Sequence, residues 1–282
     1  MPGMYRSNPP GFSGTDGGPP VLAPPPDLLT HCQRWRGGRA SYRPAGEPFD
    51  PRHFAVEPIE DRSAKDFVCQ NHYSHSYVAA RRRYGLILKE PFRPAELMGV
   101  AVFSVPMSQA VVPKYLGVPA DQGVELGRFV LLDAPQVAAN SESWFLSRAL
   151  KQLWRDLPEM KGVVSFCDPL ERRDDAGQIV KFMHRGTVYK ATNALFKGTT
   201  LPRRLVMSRC GRVVSERALQ KLRNDEQGAA YAYRQLVALG APPYRAGEGN
   251  AGYLTRALAE GGFRRIQHPG NLGFVFARRK GI

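Results

Sequence analysis

Two polar stretches of the sequence carry side chains that can do chemistry. Residues 71–76 read Asn-His-Tyr-Ser-His-Ser, a loop rich in groups that donate, accept or ligate. Residues 140–143 read Asn-Ser-Glu-Ser and open an amphipathic helix, with Asn140 as its predicted N-cap. The backbone N–H groups from Ser141 to Ser143 have no partner inside such a helix, which favours an anion or a pyrophosphate there. The sequence therefore predicts a cofactor site where this helix begins.

The first stretch also contains the spacing Cys69-x-x-His72-x-x-His75, which is compatible with a zinc site. No second Cys/His cluster with matching spacing completes it. The alternative interpretation is a loop whose histidines form hydrogen bonds within the protein.

The helix at Asn140 lies between two predicted strands. Residues 124–132 and 161–168 are rich in β-branched and apolar residues, as is typical of strands. The helix between them buries one face, formed by Phe145, Ala149, Leu150, Leu153 and Leu157. This order is a βαβ unit, and Asp168 closes its second strand. The elements predicted before it are strands at 53–58, 84–88 and 97–104 and a helix at 61–70.

Beyond Asp168, a charged loop leads to a helix predicted from Thr187. Its apolar face contains Val188, Ala191, Leu195 and Phe196, and Gly198 is expected to end it. Residues 201–208 are predicted to form a strand, 212–265 a helical region and 273–277 a final strand. Residues 1–50 are rich in Pro and Gly, so we predict a disordered arm followed by one folded domain over 51–282.

The composition favours a polyanionic partner. The chain has 40 Lys and Arg residues against 25 Asp and Glu residues, a formal charge of +15, and nucleic acid is the partner that such an excess indicates best. The alternative is a solvated basic surface. The clusters expected to contact DNA are Arg81, Arg82, Arg83, Arg172, Arg173, Arg203, Arg204, Arg217, Lys221 and Arg223.

The spacing of the cysteines and the length of the apolar runs indicate the cellular compartment. The four cysteines lack disulfide-like spacing, and no apolar run reaches the roughly 18–20 residues of a membrane span. We therefore expect a soluble cytoplasmic protein with reduced thiols.

The order of elements is similar to the acyl-CoA N-acyltransferase (GNAT) fold. In that fold the pyrophosphate of the cofactor rests on the amide groups where the central helix begins. The usual Arg/Gln-x-x-Gly-x-Gly/Ala loop is absent here, so Ser141 and Ser143 are expected to supply hydroxyl contacts. The expected fold class is α/β, with a central mixed sheet flanked by helices and a helical C-terminal region.

Six motifs in order resemble the Mom-like DNA-modification proteins of phages. The resemblance covers about residues 54–276, and the motifs are Asn71-His-Tyr-Ser74, Glu125-Leu-Gly-Arg128, Asn140-Ser-Glu-Ser-Trp-Phe-Leu-Ser147, Val164-Ser-Phe-Cys-Asp168, Gly186-Thr-Val-Tyr-Lys-Ala-Thr-Asn193 and His268-Pro-Gly-Asn271. It implies a GNAT-like enzyme of a bacterial host's cytoplasm that alters adenine N6 in DNA. The implied product is a carbamoylmethyl adduct that protects phage DNA from host nucleases, with an acetyl-CoA-type donor.

The resemblance also implies roles for individual residues. It places His72, Tyr73, Asp168 and Tyr189 in the active site. Asp168 would accept a proton, and Tyr189 would reprotonate the leaving thiolate. Arg128 and Ser143 would lie on the cofactor side with Asn140 and Ser141. It makes iron a candidate metal, with His72, Tyr73 and Asp168 as ligands.

Two alternatives remain open at this point. The first is a plain N-acyltransferase acting on a protein or small-molecule amine, which an acidic acceptor pocket would favour. The second is a DNA-binding protein without catalysis, in which His72, Asp168 and Tyr189 would not converge around a cavity. An enzyme acting on N6 must also expose the base, and Tyr73 or Trp144 could stack on it.

Overall fold

The computed structural model of the protein describes residues 31–44, 46 and 48–278. The strands are β1 (His31–Arg36), β2 (Arg39–Pro44), β3 (Phe54–Pro58), β4 (Ala80–Leu88), β5 (Glu96–Ser104), β6 (Gly123–Leu131), β7 (Gly162–Cys167), β8 (Arg172–Arg173), β9 (Ile179–Lys181), β10 (Leu195–Thr199), β11 (Arg203–Met207), β12 (Val213–Val214), β13 (Arg264–His268) and β14 (Leu272–Ala277). The α-helices are α1 (Asp61–Asn71), α2 (Val111–Leu116), α3 (Ser141–Asp156), α4 (Thr187–Ala191), α5 (Glu216–Arg223), α6 (Ala229–Ala238) and α7 (Asn250–Glu260).

A seven-stranded mixed sheet forms the centre of the fold, which confirms the α/β class. Its strand order is β10-β14-β7-β6-β5-β4-β3, and the neighbours are antiparallel except β6 and β7, which are parallel. These two strands pair only from Gly123 to Glu125 on β6, opposite Gly162 to Val164 on β7. Beyond Glu125 they diverge and leave a gap in the sheet.

Helix α3 covers one face of the sheet and confirms the predicted βαβ unit. Phe145, Ala149 and Leu153 are fully buried against the sheet, as their helical spacing indicates. The opposite face packs against α1 and Trp35. The gap between β6 and β7 therefore lies between two well-packed layers.

A β-bulge interrupts β6 at Gly127. Phe103 of β5 lies opposite Leu126, and the next β5 residue, Val102, lies opposite Arg128. The extra residue reverses the alternation of side chains, so Glu125 and Arg128 share one face of the sheet. A Cβ atom on Gly127 would lie 2.4 Å from Oγ of Ser104, which explains the glycine.

The helix predicted from Thr187 is shorter than expected. It ends at Ala191, and Asn193 adopts a left-handed conformation with φ of 64°. Leu195 and Phe196, predicted on the helix, lie instead on β10 opposite Val275 and Phe274. Pairing with a strand about eighty residues downstream overrides the local spacing.

The disordered arm predicted over 1–50 is wrong for residues 31–44, and residues 1–30 lie outside the described residues. Strands β1 and β2 form an antiparallel hairpin. Trp35 is buried between this hairpin and the sheet, and Arg34 is fully buried. The hairpin folds because Arg34 finds carbonyl and carboxylate partners more than one hundred residues away.

Residues 200–271 form an insertion between the adjacent strands β10 and β14. We call them the inserted unit. They build a separate three-stranded sheet, β12-β11-β13, and a second core under α5, α6 and α7. The predicted helical region thus contains three helices and two further strands. None of the helices in the described part of the chain has the length and apolar character that a membrane span requires.

Candidate functional site

A cavity of about 390 Å³ occupies the gap between β6 and β7. Its walls include Tyr73 and Trp35 from one side of the sheet and Val188 and Tyr189 from the other. The cavity therefore passes through the sheet, and two reactants can meet in it from opposite sides.

Most of the predicted site residues line this cavity. They are His72, Tyr73, Arg128, Asn140, Ser143, Asp168 and Tyr189. His72, Asp168 and Tyr189 thus converge, in contrast to what a non-catalytic protein would require. Ser141 differs, because its hydroxyl is buried, donates to the carbonyl of Ala138 at 2.7 Å and accepts from Arg34 at 2.9 Å. Asn140 occupies the N-cap position with φ of 65°, and its side chain makes no capping hydrogen bond.

Asp168 is the centre of a charged cluster. Its Oδ1 accepts from the Leu170 N–H at 2.9 Å and from Nε2 of His268 at 3.0 Å, and its Oδ2 is paired with Arg172. Nζ of Lys181 lies 3.7 Å from Oδ1. Burial alone would raise the pKa of Asp168, but these cations and the His268 hydrogen bond outweigh it and lower the pKa to about 2. The carboxylate organises the site and is a weak base.

The ammonium group of Lys181 is also fully hydrogen-bonded. It donates to the carbonyls of Asp168, Leu170 and Phe182 over 2.7 to 2.9 Å. Burial lowers the pKa of Lys181 to about 8, although Asp168 acts in the opposite direction. All three N–H donors are used, so Lys181 serves as a fixed positive charge.

A hydrogen-bond chain from Arg128 holds His72. Arg128 donates to Oγ of Ser76 at 2.8 Å, Ser76 donates to Oγ of Ser74 at 3.1 Å, and Oγ of Ser74 lies 2.7 Å from Nδ1 of His72. The Ser74 N–H also donates to Nδ1. Because a guanidinium can only donate, the chain has one direction and Nδ1 accepts. His72 therefore carries its proton on Nε2.

Two further histidines share this arrangement. Nδ1 of His184 accepts from the Gly186 N–H, and Nδ1 of His268 accepts from the Gly270 N–H, both at 3.0 Å. Burial lowers the pKa of His184 to about 4 and that of His72 well below its usual value, to which the Arg128 charge contributes. His72 and His184 thus line the cavity as neutral N–H donors.

The two predicted tyrosines lie in aromatic surroundings. Tyr73 stacks on Trp35 with ring centroids 5.1 Å apart, and the guanidinium of Arg172 lies 5.2 Å from its ring. Tyr189 contacts His184 and Phe274. Burial raises the pKa of both phenols, so both stay protonated near neutral pH and can give up a proton but cannot serve as bases.

Glu125 is a site residue that was not predicted from the sequence, although it lies in the motif Glu125-Leu-Gly-Arg128. Glu125 lines the cavity beside Arg128. Burial raises the pKa of its carboxyl group, and the Arg128 charge acts in the opposite direction. In this motif a carboxylate precedes an arginine by three residues, with a glycine between them. The pattern indicates a bulge only once the pairing of β6 with β5 is known. Lys181 and His184 also escaped prediction.

The predicted DNA-binding arginines divide into two groups. Arg203 and Arg172 line the cavity, and Arg204 is exposed on the neighbouring strand β11. Arg81 and Arg83 lie elsewhere on β4 and form ion pairs with Glu159 and Asp61. Arg82 donates to the carbonyl of Arg81. Among the residues that line the described cavity, Arg81, Arg82 and Arg83 are absent.

The donor set does not suit the iron site that the resemblance implies. In the described ranges, no three His, Cys, Asp or Glu side chains are placed to hold a metal ion. Asp168 is paired with Arg172 and lies near Lys181, and their positive charges disfavour a cation there. Cys69, His72 and His75 are likewise not grouped closely enough among the described residues to hold a zinc ion.

The start of α3 suits the phosphates of an acyl-CoA. Glu142 and Ser143 line the cavity, and their backbone N–H groups have no backbone acceptor among the described residues. The carboxylate of Glu142 is paired with buried Arg34, which offsets its charge. Two amide donors at the first turn of a sixteen-residue helix then face the cavity.

The chain matches a known protein family. The model of the Mom protein family matches residues 53–245, which is more than half of the chain. The comparison with curated proteins found no significant match.

Proposed function

This chain belongs to the Mom protein family, whose members modify phage DNA, and we propose that it is an enzyme that acts on the N6 amino group of adenine with an acyl-CoA as donor. The observation that carries the proposal is the cavity through the sheet, with the unpaired backbone amides of α3 on one side and aromatic and cationic groups on the other. Attack of N6 on the thioester carbonyl gives an N6-acyl adenine as the product, whereas the carbamoylmethyl adduct that the family resemblance implies would need an additional nitrogen donor.

The donor side of the cavity is the start of α3. The free N–H groups of Glu142 and Ser143 would bind the pyrophosphate, and the Ser143 hydroxyl lies beside them. The strands β6 and β7 diverge and leave room for the acyl arm of the donor. This space between the strands supports the proposal of a GNAT-like reaction. The donor supplies an activated carbonyl carbon as the electrophile.

The acceptor side is formed by Tyr73 and its neighbours. A flipped adenine needs an aromatic surface and N–H donors, and Tyr73 and His72 provide them. Asp168 holds Arg172, which lies over the Tyr73 ring. Its role is therefore to position the pocket, because its own pKa is too low for proton uptake. The phenol of Tyr189 is the proton donor available to the leaving thiolate.

The inserted unit supplies the duplex contacts. It contains twelve Lys and Arg residues against five Asp and Glu residues, so about a quarter of the chain holds almost half of its net charge. Arg203 links this basic unit to the cavity wall. Such a surface neutralises phosphates without reading sequence. The described lining of the cavity is not the acidic acceptor pocket expected for a protein or small-molecule N-acyltransferase, because its cationic side chains outnumber its carboxylates. The cations are Arg128, Arg172, Lys181, Arg185 and Arg203, and the carboxylates are Glu125, Glu142 and Asp168.

Nucleoside mass spectrometry tests the proposal. The protein is expressed in a bacterial host, total DNA is digested to nucleosides, and masses are compared with those from an empty vector and from the Tyr189→Phe variant. We expect a new adenosine-derived species with the intact protein, whose mass identifies the transferred group, and much less of it with Tyr189→Phe. Unchanged nucleosides from soluble, well-expressed protein would overturn the proposal.

A further inference from the structure

We propose that Glu125 is the catalytic base that takes the proton from adenine N6. The inference rests on the proposed function and names a residue for its central step. The N6 lone pair is delocalised into the ring, so attack on a carbonyl carbon requires a proton acceptor close to N6.

The other carboxylates of the cavity are already engaged. Among the described residues, three carboxylates line it: Glu125, Glu142 and Asp168. Asp168 accepts from Leu170 and His268 and is paired with Arg172. Glu142 is paired with Arg34.

The other titratable groups cannot accept a proton either. Nδ1 of His72 and Nδ1 of His184 accept backbone N–H groups, so each ring presents an N–H to the cavity. Lys181 uses its three N–H donors on carbonyls. The phenols of Tyr73 and Tyr189 are protonated. Glu125 is thus the one carboxylate of the described cavity lining that is engaged by neither a hydrogen bond nor an ion pair.

Glu125 is also placed where the two reactants meet. It is the last residue of β6 that pairs with β7, opposite Val164, so its side chain lies at the point where the strands separate. The Gly127 bulge keeps Glu125 on the same face as Arg128. No hydrogen bond or ion pair holds the Glu125 carboxylate within the described residues. Burial raises the pKa of this group, which makes it a better base than a solvated glutamate.

Protons are conserved over the proposed step. As the bond from N6 to the carbonyl carbon forms, the N6 proton moves to Glu125. The C–S bond then breaks with its electron pair on sulfur, and the thiolate takes a proton from the Tyr189 phenol. The proton held on Glu125 returns to Tyr189, so N6 loses one proton and sulfur gains one.

The test compares Glu125→Gln with a matched control, Glu96→Gln, which changes an exposed glutamate at the start of β5. Turnover of a DNA substrate is measured over a range of pH. We expect Glu125→Gln to lower kcat by about 10²- to 10⁴-fold with little change in KM for DNA or donor. The acidic limb of the pH profile should disappear. Glu125 interacts electrostatically with two charged or titratable groups, Arg128 and Tyr189. Both residues are unchanged in this variant. Glu96→Gln should behave like the wild type.

A second variant covers the case in which Glu125→Gln fails to fold. Glu125→Ala leaves space for a small carboxylate, and added formate should restore part of its turnover but not that of Tyr189→Phe. Wild-type kcat with an intact acidic limb in Glu125→Gln, or no formate rescue of a folded Glu125→Ala, would overturn the assignment while leaving the proposed function intact. No turnover by the wild-type protein would instead contradict the proposed function, and the assignment with it.

Discussion

Asp168 at the end of β7 accepts a hydrogen bond from Nε2 of His268 at 3.0 Å, although 100 residues separate them in sequence. His268 belongs to the inserted unit, so this bond joins the basic unit to the wall of the cavity. His268 is fully buried and its Nδ1 holds the turn at Gly270.

Replacing His268 should therefore weaken the fold and the site together. His268→Ala leaves the Asp168 oxygen and the Gly270 N–H without this partner, and we expect a loss of about 1–3 kcal/mol in the free energy of unfolding. Urea denaturation measures it. His53→Ala, which removes a half-exposed imidazole, is the control and should change stability by less than about 0.5 kcal/mol. Equal effects of the two substitutions would contradict a structural role for the bond.

Acid should remove the contribution of Asp168 to the free energy of unfolding. Its folded-state pKa is lowered from 3.8 to about 2, so its stabilisation is fully present above about pH 5 and is lost as pH falls towards 2. The stability difference between wild type and Asp168→Asn should then shrink by about 2 kcal/mol over this range. Denaturation at pH 7 and at low pH gives the two differences. A difference independent of pH would show that the carboxylate is not stabilised by Lys181 and Arg172.

The buried Arg34 should be essential for the hairpin. Arg34→Met leaves Glu142 and the carbonyls of Val137 and Ala138 without their donor, and we expect a loss of about 3–5 kcal/mol. Arg36→Ala removes an exposed arginine of the same strand and serves as the control. Limited proteolysis within residues 31–44 should accelerate for Arg34→Met alone. Equal cleavage rates in Arg34→Met and Arg36→Ala would contradict the proposed role of Arg34 in holding the hairpin.

The bulge at Gly127 should tolerate a side chain only if Ser104 gives way. Gly127→Ala places a Cβ atom 2.4 Å from Oγ of Ser104, so we expect a destabilisation of about 1–3 kcal/mol. The double variant Gly127→Ala/Ser104→Ala removes that oxygen and should regain most of the loss, relative to Ser104→Ala alone. Thermal denaturation of all four proteins completes the cycle. Additive effects would mean that the clash lies elsewhere.

The tautomer of His72 is open to direct observation. The chain from Arg128 through Ser76 and Ser74 predicts a neutral ring with its proton on Nε2. Nitrogen-15 NMR of the imidazole, assigned with His72→Gln, should show Nδ1 still unprotonated at pH 6.5, where an ordinary imidazole is half protonated, because burial lowers the pKa of His72 well below 6.5. A protonated Nδ1 at neutral pH would contradict the direction of the chain.

Local patterns in the sequence predicted the parts of the fold that depend on neighbours in the chain. The spacing of Phe145, Ala149 and Leu153 indicated the buried face of α3, and the apolar runs indicated β6 and β7. Leu195 and Phe196 have helical spacing too, but pairing with β14 decides their conformation. No local signal reports a partner so far away along the chain.

The same distinction applies to the site. His72, Tyr73, Asp168 and Tyr189 were found through a resemblance, and the structure brings them around one cavity. Arg34 lies in the Pro- and Gly-rich stretch that was predicted to be disordered, whereas its partners lie more than one hundred residues ahead. The importance of Glu125 depends on a bulge and on the hydrogen bonds of other carboxylates, which no single stretch of sequence contains.

Transfer of an isotope from donor to DNA tests the central claim most directly. Purified protein is incubated with DNA and acetyl-CoA labelled with carbon-13 in the acetyl group, and the nucleosides are analysed by mass spectrometry. We predict an adenosine-derived species that carries the label and whose amount falls sharply with Glu125→Gln. Unmodified adenosine, with the label found only in free acetate or on protein, would contradict the account.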